Sequence, residues 1–149
     1  MLTNKGKYGL KAMVHLAGAP PGQLVLSSEI AERNGIPRKF LDAIMADLRH
    51  AGLLRSRKGF GGGYTLARPA REITLGEIVR ALDGPLAPIA CASRTAYRPC
   101  DDCPDVERCT VRLIMLEVRD AMAAVLDRRT LAELRAMGSA APEAVLYQI

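Results

Sequence analysis

The sequence predicts a mainly α-helical chain that carries one small β-hairpin and ends in a long apolar-striped helix. Three observations support this class. Apolar side chains recur at i, i+3, i+4 and i+7 in several segments, the period of one helix face. Only Leu53-Leu54-Arg55-Ser56 and Tyr64-Thr65-Leu66-Ala67 make a pair of alternating strand-like stretches, and a glycine-rich run joins them. Thr74-Leu75-Gly76-Glu77 and Thr130-Leu131-Ala132-Glu133 each repeat the capping-box spacing that opens a helix.

The elements follow in order. Residues 4–17 place Leu10, Met13, Val14 and Ala17 on one helix face, and Gly18 with Pro20-Pro21-Gly22 stops that helix. Leu24-Val25-Leu26 reads as a short strand. Ser27-Ser28 offers N-cap oxygens to a second helix that closes at Asn34-Gly35. Pro37 suits the first position of a third helix, which runs to an αL terminator at Gly52. Phe40, Leu41, Ile44, Met45 and Leu48 line its apolar face, while Arg38, Lys39, Asp42, Ala43 and Arg49 fall away from it. Two helices joined by a short Gly-containing turn, the second with a basic start, form a helix-turn-helix candidate. The hairpin comes directly after it, so it is placed as a wing. Its glycines permit positive φ and close approach to a phosphate backbone, and Arg57 and Lys58 supply charge. Thr74–Glu77 then opens a helix that Asp83-Gly84-Pro85 ends.

Charge divides the chain in the same way. Residues 1–72 hold 12 Lys/Arg against 5 Asp/Glu, a balance of +7; residues 73–149 hold 9 against 11, a balance of −2. A basic half beside a mildly acidic half fits a nucleic-acid module joined to a sensing or assembly module. No apolar run has the length of a membrane span, and the expected location is the cytoplasm. No serine elbow, H-E-x-x-H, phosphate-binding loop or persuasive carboxylate pair is present, so the chain is not expected to be an enzyme.

In the second half, Val111, Ile114, Met115, Val118, Met122, Val125 and Leu126 form a stripe with too little remaining chain to cover it. All four cysteines, Cys91, Cys100, Cys103 and Cys109, lie in the proline-broken stretch CASRTAYRPCDDCPDVERC. Its spacing admits a structural metal, a disulfide switch or an iron–sulfur cluster. His15 reads as a packed core histidine, and His50 as a cap or a phosphate contact.

The stretch GIPRKFLDAIMADLRHAGLLRSRKGFGGGYTLARPAREITLGEIVRALDGP resembles the winged-helix regulators of the Rrf2 family, whose AGLL, GGGY and EITLGEIV elements stand in this order. The resemblance extends from Leu2 to about Leu134. It implies a winged helix-turn-helix DNA-binding domain plus a long C-terminal dimerisation helix. The implied molecule is a homodimeric repressor or activator, with repression the expected sign, on a palindromic site in double-stranded promoter DNA. Ser28, Arg38, Lys39, Ala43, Arg57, Lys58, Gly59, Gly61 and Gly62 are its expected DNA-facing residues. Many relatives carry Gln where this chain has Ala43, and Arg-Gly-Pro-Gly-Gly-Gly where it has Lys58–Gly63. Ala43 makes no bidentate contact to adenine, so a different operator is expected.

Cluster-binding relatives place three cysteines in this loop, matched here by Cys91, Cys103 and Cys109. The resemblance therefore favours an iron–sulfur cluster, [2Fe-2S] or [4Fe-4S], that senses redox state, iron or nitric oxide. Some relatives take a fourth ligand from the partner's first helix. Lys7, a cation, stands there in this chain, so Cys100 is either the fourth ligand or a spare thiol. The expected division is 1–84 for DNA binding, 85–109 for the sensor loop, 110–137 for the dimerisation and terminal helices, with 110–127 as the homodimer contact, and 138–149 as a loose tail. The competing expectations are a thiol-redox or small-molecule-responsive regulator without a cluster and, in another class, a small iron–sulfur electron carrier.

Overall fold

The computed structural model describes residues 2–140, so the expectation for the tail beyond 140 lies outside the described residues. Six helices and one hairpin follow the predicted order: α1 (Asn4–Ala17), α2 (Ser27–Asn34), α3 (Arg38–His50), β1 (Leu54–Arg57), β2 (Gly63–Leu66), α4 (Leu75–Asp83), α5 (Thr110–Leu126) and α6 (Leu131–Ala140). The hairpin is antiparallel, with Leu54 opposite Leu66 and Arg57 opposite Gly63. The Leu24–Leu26 strand reduces to one bridge, Val25 to Tyr64, which ties the chain before α2 to the wing.

The core is built on α3. Leu41, Ile44, Met45 and Leu48 are fully buried, as their spacing requires. Phe40 is the exception: it lies half exposed, with its ring edge-on to Tyr8 at 5.8 Å. On α1 the buried face differs from the one expected. Gly6, Gly9, Ala12, Met13 and Leu16 are buried, while Leu10, Val14 and Ala17 are only partly so. Close packing against α4 is the reason. A Cβ on Gly9 would strike Leu82 Cδ1, and one on Gly6 would strike the Asp83 carboxylate. A stripe read from large apolar side chains misses a face whose fit depends on having none.

Helix ends shift by one residue from their sequence signals. Leu26 rather than Ser27 is the cap of α2, because the bridge at Val25 holds the chain extended up to that point, and its alkyl side chain offers no capping bond. Pro37 is the cap of α3 rather than its first residue. Gly35 (φ 63°) ends α2 in the left-handed conformation, so only Gly35-Ile36-Pro37 separates the two helices. At α4 both halves of the capping box form: Glu77 N–H donates to Thr74 Oγ1 and Thr74 N–H donates to Glu77 Oε2.

The terminal helix returns to the N-terminal half. Leu131 is fully buried in the same core as Met13 and Ile73, and its N–H donates to the Ile73 carbonyl at 2.8 Å. By contrast, α5 gives the core only Ala123 as a buried residue, beside Val79 and Leu86, with Leu126 partly buried next to it. Among the described residues, no helix is long and apolar enough to cross a membrane.

Candidate functional site

Two sites emerge, one on α3 with the wing and one at the foot of α5. Burial of Leu41, Ile44, Met45 and Leu48 turns Arg38, Lys39, Asp42 and Ala43 to solvent together. Arg38 Nε lies 3.6 Å from Asp42 Oδ1, one helical turn on, so the guanidinium is held loosely along the exposed face. Ser28 on α2 is also exposed. Two contacts fix the wing beside this face: Leu53 N–H donates to the Leu48 carbonyl (3.0 Å), and Arg49 Nη1 donates to Ser56 Oγ (3.3 Å). Arg57, Lys58, Gly59, Phe60 and Gly61 form its exposed tip. Gly59 (φ 90°) and Gly61 (φ 75°) adopt conformations that disfavour other residues. Gly62 is buried, and a side chain there would run into the Arg57 carbonyl, so its small size serves the hairpin's own closure.

At the second site, residues 85–109 hold one short 3-10 turn, Ala90–Ala92, and otherwise irregular backbone. Cys91 is buried, Cys100 is exposed, and Cys103 and Cys109 are half-buried. The thiols associate in two pairs. Cys100 stands beside Cys91, and that neighbour pushes the Cys100 thiol up. Cys103 is raised by burial and by its contact with Cys109. Cys109 is lowered, chiefly by the Arg112 backbone N–H, because it occupies the N-cap of α5. It makes no full capping hydrogen bond, yet the helix start still favours a thiolate there.

Ion pairs that sequence spacing did not reveal pin this loop to α5. Arg94 grips Asp120 with two hydrogen bonds, of 2.8 and 2.6 Å, and Arg119 adds a third at 3.1 Å. Arg112 Nε donates to the Cys91 carbonyl at 2.9 Å, and its guanidinium lies 5.8 Å from the Tyr97 ring centre. Arg80 on α4 clasps Asp127 at the far end of α5. The Arg94–Asp120, Arg112–Cys91 and Arg80–Asp127 partners are 21 to 47 residues apart, beyond any local pattern. His15, expected in the core, lies only half-buried beside it, bonded to Asn34 and facing Glu29 at 3.6 Å.

Arg94, followed by Arg119, holds the Asp120 carboxyl at about 2, below its ordinary 3.8. A carboxylate lowered on folding adds stability above its unfolded value, and that stability is lost as pH falls through the folded one. Asp120→Asn should therefore speed amide exchange in residues 90–98 at neutral pH, and the difference from wild type should shrink as pH falls toward 2. An equal effect at both ends of that range would show that the Arg94 pair does not hold the loop.

The donor set fits an iron–sulfur cluster in kind: four thiols lie on one segment, and one of them, Cys109, is favoured as a thiolate at the start of α5. In arrangement the thiols stand two and two. Among the described residues, no three His, Cys, Asp or Glu side chains already converge as a metal-ready group.

A helix-turn-helix with a basic exposed recognition face and an adjoining wing defines a DNA-binding protein of the winged-helix class. Comparison with known proteins narrows this further. The Rrf2 family, described as an iron-dependent transcriptional regulator, matches residues 2–136. An Rrf2-like HTH-type transcriptional regulator of Rhodobacter capsulatus is 42% identical over 144 residues, covering 95% of this chain and 96% of that protein. Among solved structures, CymR, described as the global cysteine regulator of B. subtilis, superposes with a TM-score of 0.70 at 32% identity, covering 91% of this chain and 96% of that one. IscR of T. potens gives 0.68 at 31% identity, covering 99% and 96%. The chain belongs to the Rrf2 family, and it is a DNA-binding transcriptional regulator, not an enzyme.

Proposed function

We propose that the protein is a homodimeric regulator of a palindromic promoter site, with DNA affinity set by an iron–sulfur cluster held in the 91–109 loop. The observation that carries this is the gathering of all four cysteines on one segment whose last member, Cys109, is the N-cap of the exposed helix α5. The family's description as iron-dependent supports the same reading. Cys91, Cys100, Cys103 and Cys109 would hold the group, which supplies reversible one-electron chemistry when bound.

The chain's own residues account for the coupling. Arg112 ties the Cys91 carbonyl to the first turns of α5, and Arg94 ties the next part of the loop to Asp120. Any rearrangement that draws the thiols together therefore pulls on the base of α5. Its apolar contact with α4 is small, Ala123 and Leu126 beside Val79 with the exposed Arg80–Asp127 pair at its end, and a change in its angle to the winged domain is the motion we infer. In a dimer joined through α5, such a change alters the separation of the two α3 helices. Half-sites lie about one DNA turn apart, roughly 34 Å, so a small rotation weakens simultaneous docking.

The thiol pairs favour a second reading, a regulator that closes Cys91–Cys100 and Cys103–Cys109 disulfides without a cluster. The similarity to a protein described as a global cysteine regulator supports that alternative. Anaerobic purification with a visible spectrum separates the two. A cluster predicts a brown protein whose colour is lost in Cys103→Ala. A colourless protein whose four thiols disappear pairwise on mild oxidation supports the disulfides and contradicts the cluster.

A further inference from the structure

Phe60 is fully exposed (109%) at the tip of the wing. A lone exposed apolar side chain is ordinary on a protein surface. This one differs in how firmly it is presented and in what surrounds it. Gly62 N–H donates to the Gly59 carbonyl at 3.0 Å, closing a four-residue turn with Gly61 at φ 75° in the third position. That is the signature of a type II turn, and it fixes Phe60 at the apex. Behind the apex, Gly62 packs against the Arg57 carbonyl, so the turn has little room to fold down and cover the ring.

The surroundings are cationic. Residues 48–71 carry six Lys/Arg and no Asp/Glu, with Arg57 and Lys58 directly before the turn. An aromatic ring raised on an uncompensated basic arm matches a polyanion with apolar interior surfaces, which describes duplex DNA. Its placement is set by α3. The Leu53–Leu48 and Arg49–Ser56 hydrogen bonds lock the hairpin beside the recognition helix. A helix fills the major groove, about 12 Å wide, and a turn locked beside it meets the flanking minor groove, about 6 Å wide, which admits one side chain at its tip.

We propose that Phe60 is a minor-groove wedge, inserting at a flexible base step and kinking the operator, while Arg57 and Lys58 hold the adjacent phosphates. Apolar wedges of this kind partly unstack a step and bend the duplex toward the major groove. Pyrimidine–purine steps unstack most readily, so the wedge adds sequence preference at positions where no hydrogen bond is made. It rests on the regulator's DNA binding through α3.

The test uses the full chain and a duplex enriched by the wild-type protein from randomised DNA. Affinity is measured across salt concentrations, bend by end-to-end energy transfer, and unstacking by 2-aminopurine placed at steps beside the α3 contact. Wild type should bend the duplex and brighten the probe at one step. Phe60→Ala should bind about tenfold more weakly, lose both the bend and the brightening, and keep the same salt slope. Phe60→Trp should restore the bend. Because Phe60 touches nothing in the fold, an unchanged melting temperature confirms that Phe60→Ala remains native. Unchanged affinity and bend in Phe60→Ala would overturn the wedge and reassign the ring to a protein partner. Enrichment of no duplex by wild type would overturn the wedge together with the DNA reading beneath it.

Discussion

Val118→Glu should leave the protomer folded, convert a dimer to a monomer, and reduce operator binding about 100-fold or more. The ground is the state of α5. Val111, Ile114, Val118 and Val125 lie on one side of the helix and are all exposed, and of its residues only Ala123 is buried. An apolar face of that length is usually covered by a partner, and a two-fold mate covers it with an identical face. A mid-helix carboxylate costs the lone protomer little, because Val118 already faces water. In a dimer it would meet its own copy across apolar surface, where an unpaired charge is strongly unfavourable. The large effect on DNA follows from losing the second half-site, because a monomer forfeits the effective concentration that linkage provides. Sedimentation gives the mass and a gel-shift titration gives the affinity. A variant that remains dimeric would move the interface off this face.

Arg38→Ala should weaken binding to the enriched operator by about 10- to 100-fold and binding to unrelated duplex far less. Arg38 opens α3 on the exposed face, and its one ion pair among the described residues is with Asp42 at 3.6 Å, a contact loose enough to exchange for a base. If binding to both duplexes falls equally, Arg38 contacts phosphate. Ala43, one turn further along, offers only a methyl group, so the selected operator should prefer thymine methyl contact there over a hydrogen-bonded adenine.

Different parts of the molecule were legible in the sequence to different degrees. The α3 stripe gave its four buried residues because large apolar side chains made the contacts. The inner face of α1 was hidden because Gly6 and Gly9 make it, and glycine carries no hydropathy signal. The place of Leu131 in the N-terminal core could not be read, since its partner Ile73 is distant in sequence and the link is a backbone hydrogen bond. The gathering of cysteines was plain from composition alone. Which thiol stands beside which was not: Cys91 neighbours Cys100 and Cys103 neighbours Cys109 in a loop with almost no regular structure to read. Cys100, which matches none of the three cysteines of the cluster-binding relatives, stands beside Cys91.

Control of DNA affinity by the state of the cysteine loop is open to direct measurement. The direct measurement is an oxygen-free titration of one operator duplex with cluster-reconstituted and metal-free protein at the same salt concentration. Coupling through the base of α5 predicts dissociation constants that differ by about tenfold or more. Equal constants, with the cluster confirmed present in one sample and absent from the other, would contradict it.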